Sequence, residues 1–92
     1  MTDKLILHIE PTPQHALNKF LEIQQDLGNQ IDKVQQANLL IESGGVIFRF
    51  FSQGNIKNLA GLKPSTVMVD HRCELQLDEH IFLESLIRKA ND

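Results

Sequence analysis

A chain of 92 residues is long enough for one modest hydrophobic core and too short to set a substrate-binding domain beside a catalytic one, so residues 1–92 read as a single domain and a multi-substrate enzyme is disfavoured. Apolar residues at 41% and charged residues at 23% match ordinary globular usage and argue against a disordered tail, while a formal charge of −3 argues against a dedicated binder of free DNA. With no Trp and no Tyr, any interface must lean on Phe, Arg and amide side chains.

In chain order, residues 5–9 form a short apolar run closed by Glu10 and Pro11, which reads as a strand. Thr12 is a good N-cap and Pro13 suits a first helical position, where the missing N–H has no intrahelical partner. Apolar residues then recur at Leu17, Phe20, Ile23, Leu27, Ile31, Val34, Ala37 and Ile41, in steps of three or four that place them along one helix face. This spacing predicts one long helix, bent at Gly28-Asn29, ending near Glu42 and stopped by Ser43-Gly44-Gly45. Its opposite face carries Gln24, Gln25, Asn29, Gln35, Gln36 and Asn38, amides able to hydrogen-bond a partner.

Residues 46–51, β-branched and aromatic with Arg49 alone breaking the run, predict the strongest and most central strand. Residues 55–60 suggest a helical turn closed by Gly61, residues 66–70 a third strand, and residues 73–77 a weaker fourth. Asp78 is placed as the cap of a final helix whose Ile81, Phe82, Leu86 and Ala90 pack on the sheet. The expected fold is α+β: a small antiparallel or mixed three- to four-stranded sheet packed against one long and one short helix.

Chemistry is sought first in Asp70-His71-Arg72-Cys73 with Asp78, Glu79 and His80, which gathers carboxylates, imidazoles and a thiol. Zinc needs about four ligands in a tetrahedral cage, and this spacing matches no zinc motif. Cys73 has His71 two residues away but nothing marks an oxyanion site, and Ser43, Ser52, Ser65 and Ser85 lack a nucleophile-elbow context. The expectation is therefore a protein that is not an enzyme, with no catalytic residues, no metal site and no cofactor. A lone cysteine cannot form an internal disulfide, the N-terminus opens without an apolar signal region, and no stretch approaches the roughly 18 apolar residues that cross a bilayer; a reducing cytoplasm is expected.

Charge is unevenly distributed. Residues 1–42 carry three lysines against six acids, residues 74–92 two cations against five acids, and residues 43–73 hold Arg49, Lys57, Lys63 and Arg72 against Asp70 alone. This basic island suggests a partner surface made of protein, or of protein with RNA, in preference to free DNA. The residues nominated for partner binding are Arg49, Lys57, Lys63 and Arg72, with Asn29 and Lys33 at the expected helix bend.

Residues 45–71, a strong strand, a short Asn-Leu-Ala-Gly-Leu element and a strand Thr-Val-Met-Val ending in Asp70, look like the stretch around the acidic strand of phage DNA-packaging ATPases. The family's second acid is His71 here and its upstream phosphate loop is absent, so the resemblance implies a phage source and not ATP hydrolysis. In overall character, small, without a cofactor motif, amide-rich and bearing an isolated basic island, the chain resembles the phage anti-CRISPR proteins that inhibit type I-F surveillance complexes. That resemblance implies stoichiometric binding, in the host cytoplasm, to a multi-subunit Cas complex with its crRNA, keeping target DNA from the guide. The alternatives are a homodimeric adaptor or regulatory module of a phage paired through residues 16–41, and a small metal- or Cys-dependent hydrolase built on residues 70–80.

Overall fold

In a computed structural model of the protein, residues 4–90 are described; Met1, Thr2 and Asp3, at the start of the segment read above for a signal sequence, lie outside them. The chain forms β1 (Lys4–Glu10), α1 (Pro13–Leu27), β2 (Lys33–Gln35), β3 (Leu40–Ser43), β4 (Val46–Ser52), β5 (Thr66–Val69) and α2 (Leu77–Ala90), with 3-10 segments at Gly28–Gln30, Gln36–Asn38 and Gln53–Leu59. The strands make one sheet in the order β2-β3-β4-β1-β5. β1 runs parallel to both its neighbours, whereas β2, β3 and β4 form an antiparallel meander. The fold is α+β with a mixed sheet, as expected, but the sheet has five strands and the helices, at 15 and 14 residues, are nearly equal.

Local chemistry accounts for most of these elements. The Thr12 hydroxyl accepts the His15 N–H at 3.1 Å, and Pro13 fills the first helical position of α1. The long helix is corrected: α1 stops at Leu27, where Gly28 adopts φ 51 and its N–H closes on the Gln24 carbonyl. Beyond it the apolar residues change role. Val34 and Ile41 face one another across the β2–β3 pair, and Lys33 sits opposite Glu42. Asn29 and Lys33 are thus not at a helix bend. Ser43-Gly44-Gly45 is not a helix stop but leads into a hairpin turn, with Ser43 opposite Val46 and both glycines at positive φ (58° and 82°), as a type I′ turn requires.

Two further expectations are corrected. Residues 73–76 form no strand; the Cys73 N–H closes a turn on the Asp70 carbonyl and Leu75 packs on the core. Asp78 does not cap α2 but lies in its first turn, and the Glu79 carboxylate accepts the Gln76 N–H at 2.9 Å, half of a capping box. The buried face of α2 is Leu83 and Leu86, with Phe82 half-buried beside them, while Ile81 is 57% exposed.

The sheet is covered on both faces, unequally. On one face α1 lays Ala16 and Phe20 over Phe50 and Ile41, with Leu17, Ile23, Leu27 and Phe48 around them. On the other, the Gln53–Leu59 segment and α2 pack Ile56, Leu59, Leu83 and Leu86 over Leu7 and Ile9, with Phe51 and Val67 alongside. β1 sends Leu7 and Ile9 into the α2-side core, while between them His8 turns to the other face and stacks on Phe50.

Candidate functional site

Strand register assigns each β4 side chain to a face. Phe48 and Phe50 belong to the α1 core, so Ile47, Arg49 and Phe51 lie on the α2 face, with Arg49 opposite Leu7 on β1 and Leu40 on β3. The α2 layer rests on β1, β5 and the Phe51 end of β4. Leu5 still packs against that layer, whereas Ile47, Leu40, Arg49 and the rim residues Lys33, Gln35 and Glu42 on the same face belong to neither core cluster among the described residues. A cavity of about 180 Å³ lined by Asp32, Glu42, Gly45, Val46 and Ile47 opens at its hairpin end.

Arg49 is the unusual member of this surface. It is only half-buried, yet its Nε is shut off from solvent and has no hydrogen-bond partner. Its guanidinium lies over the Phe51 ring at 4.8 Å. Among the described residues it makes no ion pair, unlike Lys33, which reaches Glu42 at 3.9 Å. A planar cation stacked on an aromatic ring, with one donor starved, suits a carboxylate brought by another molecule.

The other nominated residues are dispersed. Lys57 pairs with Asp78 at 3.2 Å and leans on Phe82. Arg72 is held by Asp70, its backbone N–H and Nε both donating to Oδ1 at 2.8 Å and Nη2 to Oδ2 at 3.1 Å, and this pairing holds the Asp70 carboxyl well below the usual carboxylate range. Lys63 is exposed in the loop entering β5, at the opposite end of that strand from Arg72. Asn29 lines a shallow groove on the outer side of α1 with Leu21, Gln24 and Gln25. The basic island is contiguous in sequence but not one patch in space.

The hydrolase constellation comes apart. His71 and His80 are exposed, and the Cys73 thiol donates to the Ile9 carbonyl at 3.5 Å while burial pushes its pKa up, the opposite of an activated nucleophile. Among the described residues, no three His, Cys, Asp or Glu side chains converge as a metal site would need. No helix among them is long and apolar enough to cross a membrane.

The structure gathers a polar group that the sequence reasoning missed: a cleft of about 130 Å³ lined by His8, Glu10, Lys19, Met68, Val69 and Asp70. His8 and Glu10 are buried despite being polar, and His8 stacks on Phe50 at 4.9 Å. Burial, then the nearby Lys19, lower the His8 pKa; burial, then the Asp70 charge, raise that of Glu10. The available signal was a histidine and a glutamate at alternate positions of an otherwise apolar strand. No protein-family model, curated protein or solved structure matches the chain.

Proposed function

We propose that the protein works by binding, as a stoichiometric inhibitor that docks the open half of its sheet on an acid-bearing surface of a crRNA-guided CRISPR complex and so keeps target DNA away. The docking surface rests on one observation, the unpaired and partly desolvated Arg49 guanidinium beside Leu40 and Ile47 on the part of the sheet face that neither core covers. One unpaired cation beside apolar side chains, with the rim cation Lys33 already paired to Glu42, favours a protein carboxylate over a phosphate backbone, which takes several cations to hold. The partner class rests on the resemblance of overall character described above. Of the stretch 16–41 that the dimeric adaptor would pair through, the α1 stripe from Ala16 to Leu27 packs on this chain's own sheet.

The test is co-elution of the purified protein with a purified type I-F complex, with target-DNA binding measured in parallel. Co-elution with loss of DNA binding, both abolished by Arg49→Met in a variant that keeps the native spectrum, is the expected result. Failure of the wild-type chain to bind removes the partner assignment. Undiminished binding by Arg49→Met removes the surface.

A further inference from the structure

The cleft beside β1 lies outside the docking surface just proposed and has its own logic. Adjacent strands β1 and β5 are parallel, and the chain leaves β1 towards α1 on one face and β5 towards α2 on the other. Diverging connections of this kind open a crevice at the carboxyl ends of the strands, the usual ligand position in open parallel sheets. Here the crevice is bounded by Glu10 from the end of β1 and Asp70 just past the end of β5.

Glu10 is only 3% exposed, it lines the cleft, and among the described residues its side chain has no hydrogen bond or ion pair. Lys19 and Arg72 lie close enough for their charges to reach Glu10, but each is paired with another acid: Lys19 reaches Glu22 at 3.7 Å, and Arg72 is tied to Asp70 by two side-chain bonds. Its oxygens keep their remaining solvent contact at the cleft, and a carboxylate so largely withdrawn from water gains from a cation bearing N–H donors. Two residues back along β1 and on the same face, His8 is held in place by its stack on Phe50, leaving a ring nitrogen as a second polar contact. Met68, 53% exposed, and Val69, 39% exposed, supply an apolar lip.

We infer that this cleft binds a primary alkylammonium group, with the ammonium on the Glu10 carboxylate and the methylene stem on Met68 and Val69. Lys19, the remaining basic wall of the cleft, opposes such a ligand, so it sets an upper limit on affinity. A free amine and a lysine side chain of a partner protein share this chemistry.

The experiment is an NMR titration of the full chain near neutral pH with butylammonium chloride, against sodium chloride at matched ionic strength. The readouts are the Glu10 carboxyl carbon, the His8 ring and the Met68 methyl. Saturable shifts confined to these groups are expected. Glu10→Gln should weaken binding at least about tenfold, and Lys19→Gln should tighten it severalfold. Binding by the wild-type chain should also strengthen as pH rises through the Glu10 titration, a test that needs no variant. Shifts no larger than those from sodium chloride, or undiminished affinity in a folded Glu10→Gln chain, overturn the inference. A parallel arm with N-acetyl-lysine methylamide separates the sources: tighter binding than butylammonium points to a lysine residue, equal binding to a free amine.

Discussion

Replacing Arg49 with Met should raise stability while removing partner binding. The buried Nε of Arg49 has no hydrogen-bond partner, and a donor in that state costs about 1–3 kcal/mol relative to an apolar atom of similar shape. Met keeps most of the stem and its contact with Phe51, so the loss is the cation–π attraction, about 0.5–1 kcal/mol for a guanidinium that is only half-buried. The balance is a gain of about 1 kcal/mol, and at about 4–8 °C per kcal/mol for a domain of this size it should appear as a rise in melting temperature of about 5 °C. Urea and thermal denaturation followed by circular dichroism read the effect directly. A variant destabilised by about 1 kcal/mol or more would refute the reasoning, because Arg49 would then be a structural residue with a satisfied side chain rather than one held in reserve for a partner.

Glu10→Gln should be more stable than wild type near pH 7, and its advantage should shrink as pH falls towards 4.5. The sign follows from linkage: burial and Asp70 raise the Glu10 pKa in the folded state, so the native chain takes up a proton before the unfolded one and gains stability as pH falls. Asp70 acts in the opposite sense, its contribution being lost as pH falls below 3.8, so Asp70→Asn should cost stability at neutral pH and little in strong acid; urea midpoints across pH measure both. In α2, Leu83→Ala should cost about 2–4 kcal/mol whereas Ile81→Ala should lie within about 0.5 kcal/mol of wild type, by the same denaturation assay. Cys73 should react with iodoacetamide at pH 8 more slowly than a free cysteine and reach the free rate only in denaturant, because burial raises its pKa and the thiol is bonded to the Ile9 carbonyl.

The parts of the fold written in local chemistry were legible. Thr12-Pro13 announces α1, the aromatic and β-branched run after Gly45 announces the middle strand, and the acid-first, base-last order of α2 suits its dipole. The long helix misled because Ile31, Val34, Ala37 and Ile41 continue the helical spacing by coincidence. What arbitrates is Gly44-Gly45 directly before a strong strand, a hairpin signal that demands a partner strand immediately upstream and so excludes a helix from that place. Of the candidate site residues, Arg49 was visible as the one charge in an apolar strand. Its isolation was not, because pairing of the other cations depends on contacts such as Lys57 with Asp78 that only the tertiary fold creates. Glu10 reads in the sequence as a strand boundary, since nothing there signals that residue 70 returns to its side.

The central position of β1 also bears on how the chain reaches its native state. Strands β2, β3 and β4 are joined by short connections and can pair as soon as they are made, whereas β1, synthesised first, finds its partners Val46–Ser52 and Thr66–Val69 only much later in the chain. Those long loops must close before β1 contributes any burial, which places the entropic barrier at its docking. During synthesis, the apolar side chains of β1 therefore emerge from the ribosome ahead of every strand that will shelter them, and nascent chains ending before residue 66 still lack one of the two strands that flank it.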